Sequence, residues 1–143
     1  MATIAGMLAT SARRCPDRVA LIFGERRYTY GELDRAVNRA AHALAAAGLG
    51  KGDRIALMSG NSDGFGIACY AALRLGALVV PVDPASVAPE VRYVLADSEA
   101  SLLVFGAGAE EVVGKLGEQP SLIGGPIALG PVGAFPATPP ERP

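Results

Sequence analysis

Leu73-Arg74-Leu75-Gly76-Ala77-Leu78-Val79-Val80-Pro81-Val82-Asp83 is the stretch on which the fold turns. Leu73 to Leu75 close an apolar helix, and Gly76 lets the chain turn sharply out of it. Leu78-Val79-Val80 is a strand-type run. Pro81 is expected to end that strand's ladder because it has no amide donor, and Asp83-Pro84 forces an extended turn. A helix feeding directly into an apolar strand predicts an α/β fold.

Working backwards, Ser62 or Asp63 caps a helix that runs to Arg74 and is apolar on most faces (Phe65, Ile67, Ala68, Cys69, Ala72, Leu73). Such a helix is buried on more than one side. Arg54-Ile55-Ala56-Leu57-Met58 reads as a buried strand after a Gly50-Lys51-Gly52-Asp53 turn. A helix from Gly31 to about Ala47 places Leu33, Val37, Ala40, Leu44 and Ala47 on one side, with Glu32, Arg35, Arg39 and His42 mostly on the other. Gly48 ends it. Ahead of it, Val19-Ala20-Leu21-Ile22-Phe23 pairs with Arg27-Tyr28-Thr29 across Gly24-Glu25, a type II′ hairpin. Thr3 is expected to cap a first helix whose Ile4, Met7 and Leu8 share a face, ended by Pro16 and Asp17.

Working forwards, Ser86 and Pro89 open a helix through Ala96, Ser101 to Phe105 is a strand, and Ala109 to Leu116 is a short helix. Strands separated by helices imply right-handed crossovers and a mostly parallel sheet, although the strand order is not legible. The fold class is therefore α/β: a helix, a β-hairpin, then alternating helices and mostly parallel strands. Residues 1–117 read as one incomplete α/β subdomain. Residues 118–143 read as a Pro/Gly-rich extended or disordered tail, because seven of the eleven prolines lie from Pro120 onwards. The Leu122-Ile123 and Ile127–Leu129 pieces are too interrupted there to form a core.

The 143 residues carry 13 basic and 14 acidic side chains, half of all residues being hydrophobic, a globular composition. The longest basic clusters are the pairs Arg13-Arg14 and Arg26-Arg27, so no positive stripe exists to displace counterions from nucleic acid. Cys15 and Cys69 have no CxxC or metal-type spacing and read as reduced, buried thiols. The apolar segment from Met1 to Ala12 has its arginines after it, the reverse of a secretory signal, an organelle transit peptide being the alternative reading. No segment suits a membrane span. A cytoplasmic protein is expected.

Thr29-Tyr30-Gly31-Glu32 fits a capping box, with Tyr28 and Leu33 placed as a hydrophobic staple. Together with Tyr30-Gly31-Glu32-Leu33 after Thr29, the Leu73–Asp83 segment, Gly52-Asp53-Arg54-Ile55-Ala56-Leu57 and Asn61-Ser62 occur in an order and spacing that resemble the opening of the adenylate-forming acyl ligases. This is the AMP-binding family that includes the acyl-CoA and fatty-acid–CoA synthetases. The resemblance covers about residues 3 to 105. It implies a two-step ligation in the intact enzyme, with ATP, Mg²⁺ and CoA, and a fatty or other carboxylic acid as substrate. The family's Ser/Thr/Gly-rich phosphate loop, its aromatic-Thr-Glu element, its ribose-binding aspartate and its C-terminal lysine have no counterpart here. No catalytic, cofactor-binding or metal-binding residue is assigned, no cofactor is expected for this chain alone, and no adenylation is expected from it.

Other candidates have plainer readings. Gly60-Asn61-Ser62-Asp63-Gly64-Phe65-Gly66 follows a strand and opens a helix, as an anion site does, but it lacks the third glycine of a dinucleotide loop and carries Asp63. Gly48 to Gly52, with Lys51, follows a helix, the wrong order for a phosphate cradle, and neither Lys51 nor Lys115 completes a P-loop. His42 reads as a surface imidazole. Ser59 and Ser62 have no activating base. Asp34 with Arg35, and Glu110 with Glu111, read as exposed helix faces. Three functional readings follow: an N-terminal or truncated portion of an acyl ligase; a non-catalytic module docking to a ligase-like chain or self-associating through exposed apolar surface; and a small Rossmann-like nucleotide binder using the Gly60–Gly66 loop.

Overall fold

In chain order the computed structural model, which describes residues 4–60 and 62–129, holds α1 (Ile4–Arg14), β1 (Val19–Phe23), β2 (Arg26–Thr29), α2 (Tyr30–Ala46) and β3 (Arg54–Met58). These are followed by α3 (Asp63–Arg74), β4 (Leu78–Val82), α4 (Ala88–Ser98), β5 (Leu102–Phe105), α5 (Glu110–Gly114) and β6 (Ile127–Ala128). β1 and β2 form an antiparallel hairpin of their own. The other four strands form an all-parallel sheet in the order β4-β3-β5-β6. The expected α/β architecture is present.

Successive strand residues face opposite sides, and β3 buries both. Ile55 and Leu57 pack with α2 and α3, while Ala56 and Met58 pack with α4, and all four are at most 1% exposed. Helices therefore cover the sheet on two faces. The chain leaves β3 through α3 to β4, then returns through α4 past β3 to β5. That reversal creates a topological switch point between the ends of β3 and β5.

Local devices fix these elements. The capping box forms as expected: Glu32 N–H donates to Thr29 Oγ1 (3.1 Å) and Thr29 N–H donates to Glu32 Oε1 (2.9 Å). Leu33, Val37, Ala40 and Leu44 are buried, whereas Glu32, Arg35, Arg39 and His42 are exposed. At the far end Leu49 N–H reaches Leu44 O, Gly48 N–H reaches Ala45 O, and Gly48 takes a φ of 106°. This is a Schellman stop sealed by buried Leu44 and Leu49. Gly24 has a φ of 60° while Glu25 has no positive φ, as a type II′ hairpin requires.

Several expectations need correction. Met7 is 60% exposed and does not share the burial of Leu8; the Thr3 cap lies outside the described residues. Pro81 does not end β4 but sits within it, in register with Leu57, which is tolerated because β4 is an edge strand. Val87, not Ser86, is the N-cap of α4, and it makes no side-chain bond; Pro89 stands in the first turn, where no donor is needed. Ile127–Leu129 do add to the core. Ile127 pairs with Val104 and Ala128 with Phe105, Leu129 N–H donates to Phe105 O (2.8 Å), and Ile127 and Leu129 pack on the α2–α3 side. Leu122 packs against the α4 side. Pro126 lies just ahead of β6, so its missing amide interrupts no ladder. The tail beyond Leu129 lies outside the described residues.

Candidate functional site

Ligands of open parallel sheets bind outside the carboxyl ends of the strands at a switch point. Here that position is framed by Ser59 and the start of α3 on one side and Gly106 on the other. Three amides in the first turn of α3 are already engaged. Phe65 N–H donates to Ser62 Oγ (3.1 Å), Gly66 N–H to Ser62 O (3.2 Å), and Gly64 N–H to Asp63 Oδ1 (3.0 Å). Ser62 is thus the N-cap, and Asp63 is the first helical residue.

Asp63 is 1% exposed, the one buried charged residue among those described. Its carboxylate accepts four hydrogen bonds. Arg26 holds it side-on, Nε to Oδ2 at 2.7 Å and Nη2 to Oδ1 at 3.0 Å. Tyr28 Oη donates to Oδ2 at 2.7 Å, and Gly64 N–H supplies the fourth. Burial by itself would raise the Asp63 pKa; the hydrogen bonds from Arg26, Tyr28 and Gly64 outweigh it and hold the carboxyl below its ordinary value. The same cluster shifts its partners. The Asp63 hydrogen bond raises Arg26, and burial followed by the Asp63 contact raises Tyr28. Arg26 also lies over the Phe23 ring, 5.5 Å from its centroid. The geometry latches the β1–β2 hairpin onto the start of α3.

The crevice itself is closely packed. Gly106 N–H donates to Met58 O (2.9 Å), and a Cβ at Gly106 would stand 2.5 Å from Ser59 Oγ. The Ser59 hydroxyl donates to Gly60 O (3.0 Å) and faces no base.

The structure does not gather the remaining sequence candidates into one place. His42 on α2 and Lys51 in the α2–β3 connection are both exposed. Cys15 and Cys69 are unbridged and half-buried; burial raises the Cys69 thiol. Glu111 pairs with Lys115 at the surface (3.2 Å), and Glu110 accepts from Gly108 N–H. Asp34 departs from its reading as a solvated face: it is half-buried and accepts from Arg74 of α3 at 2.9 Å, clamping α2 to α3 beside Asn38. Among the described residues no group of three or more His, Cys, Asp or Glu is placed to hold a metal ion. No described helix is long and apolar enough to cross a membrane.

The described residues do not fit a triphosphate. An anion at a helix start needs free amides and a positive field. At α3 the amides of Gly64, Phe65 and Gly66 are bonded within the turn, and the carboxylate of Asp63 already occupies the end of the dipole.

The role of Asp63 was missed in the sequence. The available signal was a lone carboxylate opening a helix of apolar character, with Arg26 and Tyr28 two apart, and so on one face of a strand.

Comparison with known proteins agrees with the motifs. The family model described as "AMP-binding enzyme" matches residues 8–126. The long-chain-fatty-acid–CoA ligase FadD13 of Mycobacterium tuberculosis is 39% identical over 93 residues, covering 65% of this chain and 18% of that protein. The 3-hydroxybenzoate–CoA ligase of Aromatoleum is 33% identical over 125 residues, covering 83% of this chain and 24% of its own length. Among solved structures, the N-terminal domain of FACL13 from Mycobacterium tuberculosis superposes with a TM-score of 0.81 at 32% identity, over 90% of this chain and 34% of that one. The chain thus spans roughly a fifth of the length of these two ligases. With the motifs, the three-layer fold and the family match coinciding over the same residues, the chain belongs to the AMP-binding enzyme family.

Proposed function

We propose that this chain supplies the opening α/β portion of an adenylate-forming ligase, the scaffold beside which the nucleotide- and acyl-binding parts of a longer domain stand. The observation that carries this reading is the superposition on the FACL13 N-terminal domain over nine-tenths of the chain. In the assembled enzyme a carboxylate attacks the α-phosphorus of ATP with Mg²⁺ present, pyrophosphate leaves, and the thiol of CoA then displaces AMP. A fatty acid is the first acyl class to test, since FadD13 is named for long-chain fatty acids; aromatic acids follow, from the hydroxybenzoate ligase.

For the 143-residue chain by itself we infer no adenylation. Developing charge on phosphate requires preorganised donors, each worth about 10²- to 10³-fold in rate when removed, and the amides best placed for the task are bonded internally. Pyrophosphate exchange with ATP and a panel of fatty and aromatic acids is expected to stay at background. Clear acid-dependent exchange would overturn the inference.

A second reading, docking to a separate ligase chain, is favoured by apolar side chains left in solvent on the hairpin and the sheet margin: Val19, Ile22, Phe23 and Leu78. A monodisperse monomer that forms no complex with ligase chains would count against it. The nucleotide-binder reading is opposed by the occupied start of α3; a thermal titration with ATP, AMP and NAD is expected to show no shift.

A further inference from the structure

The fold sorts charge between the two faces of the parallel sheet. The hairpin, α1, α2 and α3 stand over the face carrying Ile55 and Leu57, whereas α4 and α5 stand over the face carrying Ala56 and Met58. Residues 4–50 and 63–74, on the first side, hold eight basic and five acidic side chains. Residues 83–118, on the second, hold two basic and seven acidic, so the sides carry opposite net charge. On α2 the basic excess is organised: Arg35, Arg39 and His42 recur at four and three residues, an exposed stripe about 10 Å long at 1.5 Å per residue. A Cβ at Gly31 would stand 3.4 Å from Arg35 Nη1 and 3.3 Å from Pro16 O, so the stripe runs on into the α1–β1 turn, where Arg14 and Arg18 are exposed. Asp17 lies in that turn, and Glu32 is held by the capping box. Among the described residues these arginines join no ion pair.

On the other side Glu90, Tyr93 and Asp97 recur at three and four residues, an exposed stripe of the same length along α4. Tyr93 is 70% exposed, although it is an aromatic residue in the middle of a helix whose Val91 and Leu95 are fully buried. Arg92, the cation of this helix, is turned away and donates from Nη1 to Lys115 O (3.1 Å). The Glu90 and Asp97 carboxylates join no ion pair among the described residues. A ring standing in solvent between two carboxylates suits a guanidinium: the ring face attracts the cation, and the carboxylate oxygens accept its N–H groups.

We propose that this chain associates with a second copy of itself head to tail, the α2 arginine stripe of one copy seating on the Glu90–Tyr93–Asp97 stripe of the next. The occupant follows from charge: the two stripes are opposite in sign, equal in length and unpaired within the chain. They lie on opposite faces of one sheet, so no copy can satisfy its own. The contact is therefore heterologous and builds an open series or a ring, not a closed two-fold dimer. The residue types fit a protein partner, because arginine and tyrosine are enriched at interface centres and lysine is depleted there. This contact goes beyond the scaffold reading and uses none of the apolar side chains of the hairpin.

Sedimentation equilibrium of the full chain tests this. In low salt the average mass is expected to rise with concentration, and to fall back toward the monomer in about 1 M NaCl, where the Debye length is about 3 Å. Arg39→Glu sets a carboxylate against Glu90 and Asp97, and Tyr93→Ala removes the ring; each is expected to weaken self-association by about tenfold or more. Both positions are exposed, so circular dichroism and urea midpoints are expected to match the wild type. The deciding measurement mixes the two variants. Tyr93→Ala keeps its arginine stripe and Arg39→Glu keeps its α4 stripe, so the mixture is expected to form a one-to-one dimer that grows no further. A concentration-independent monomer in low salt overturns the proposal, as does association that survives salt and both substitutions. A mixture that stays monomeric shows that the two stripes do not meet, and overturns it as well. Wild-type binding to anionic vesicles without self-association, lost in Arg39→Glu and kept in Tyr93→Ala, replaces the second copy with a lipid surface. None of these outcomes bears on the scaffold reading, which pyrophosphate exchange tests separately.

Discussion

Replacing Asp63 with asparagine keeps the shape of a side chain that is 1% exposed and changes only its charge and one of its two oxygens. Arg26 Nε and Tyr28 Oη donate to Oδ2, and Arg26 Nη2 and Gly64 N–H donate to Oδ1. Whichever way the asparagine amide is turned, two of these four donors face its NH₂. A hydrogen bond to a charged group contributes about 1.5–3 kcal/mol net. Breaking a buried pair costs about 3–5 kcal/mol when it strands a charge away from water. Arg26 is 38% exposed and recovers water when released, so the cost falls below that range. We expect Asp63→Asn to destabilise the chain by about 2–3 kcal/mol. With a urea m-value of about 1–3 kcal/mol/M, the midpoint falls by about 0.7–3 M. Equilibrium urea unfolding at neutral pH measures this directly. A loss under about 0.5 kcal/mol would mean that the latch behaves as a surface ion pair, refuting the claim that it holds the hairpin.

The same latch sets a pH dependence whose sign follows from the lowered Asp63 pKa. A carboxyl held lower in the folded state binds protons more readily when unfolded. Its contribution is complete above the ordinary aspartate value of about 3.9 and is lost as pH falls through the folded value. The wild-type midpoint is therefore expected to drop below about pH 4, and the Asp63→Asn midpoint to drop less, so that the two curves converge in acid. Glu32, lowered by its hydrogen bonds from the Thr29 backbone and side chain, titrates in the same direction and leaves a residual slope in the variant.

Three further substitutions probe separate links. Thr29→Ala removes one half of the capping box and is expected to cost about 1 kcal/mol, with the Glu32 carboxyl titrating closer to its ordinary value by NMR; an unmoved Glu32 would exclude the box as the cause. Glu99 ends α4 with a φ of 53° and a C-cap in the left-handed region. Glu99→Gly is expected to raise stability by up to about 1 kcal/mol, because its 3.8 Å contact to Arg54 is solvent-exposed and weak; a net loss in thermal unfolding would assign that contact a larger share. Gly106→Ala drives a methyl group into Ser59 and is expected to cost about 1–3 kcal/mol. Ser59→Ala removes the 2.5 Å clash but leaves Cβ at 3.1 Å, so a double-mutant cycle should show partial rescue; strictly additive costs would refute close packing at the switch point.

What the sequence made legible is what its neighbours in the chain determine. The capping box at Thr29 closes over three residues, the Schellman stop at Gly48 over a few, and the apolar runs of β3 and β5 declare their burial without reference to partners. Pairing and burial between distant segments were less accessible. Asp63 lies 37 residues from Arg26 and 35 from Tyr28, and a carboxylate at a helix start is already well explained by the dipole, so nothing local asks for a further partner. Pro81 misled for a related reason: proline argues against a central strand, and only the strand order shows that β4 is an edge and that residue 81 faces away from β3. β6 was hidden because two residues carry no period, and a parallel partner can be recognised only once β5 is in place. These long-range contacts share a physical consequence. The Asp63 latch ties the hairpin to the switch-point end of the sheet, and Pro81 closes one lateral margin. The apolar side chains of Val19, Ile22 and Phe23 meanwhile stay in solvent on the latched hairpin. On the scaffold reading proposed above, that latched apolar hairpin is where further parts of a ligase domain are expected to pack, and Asp63, which holds it, is the first residue to test.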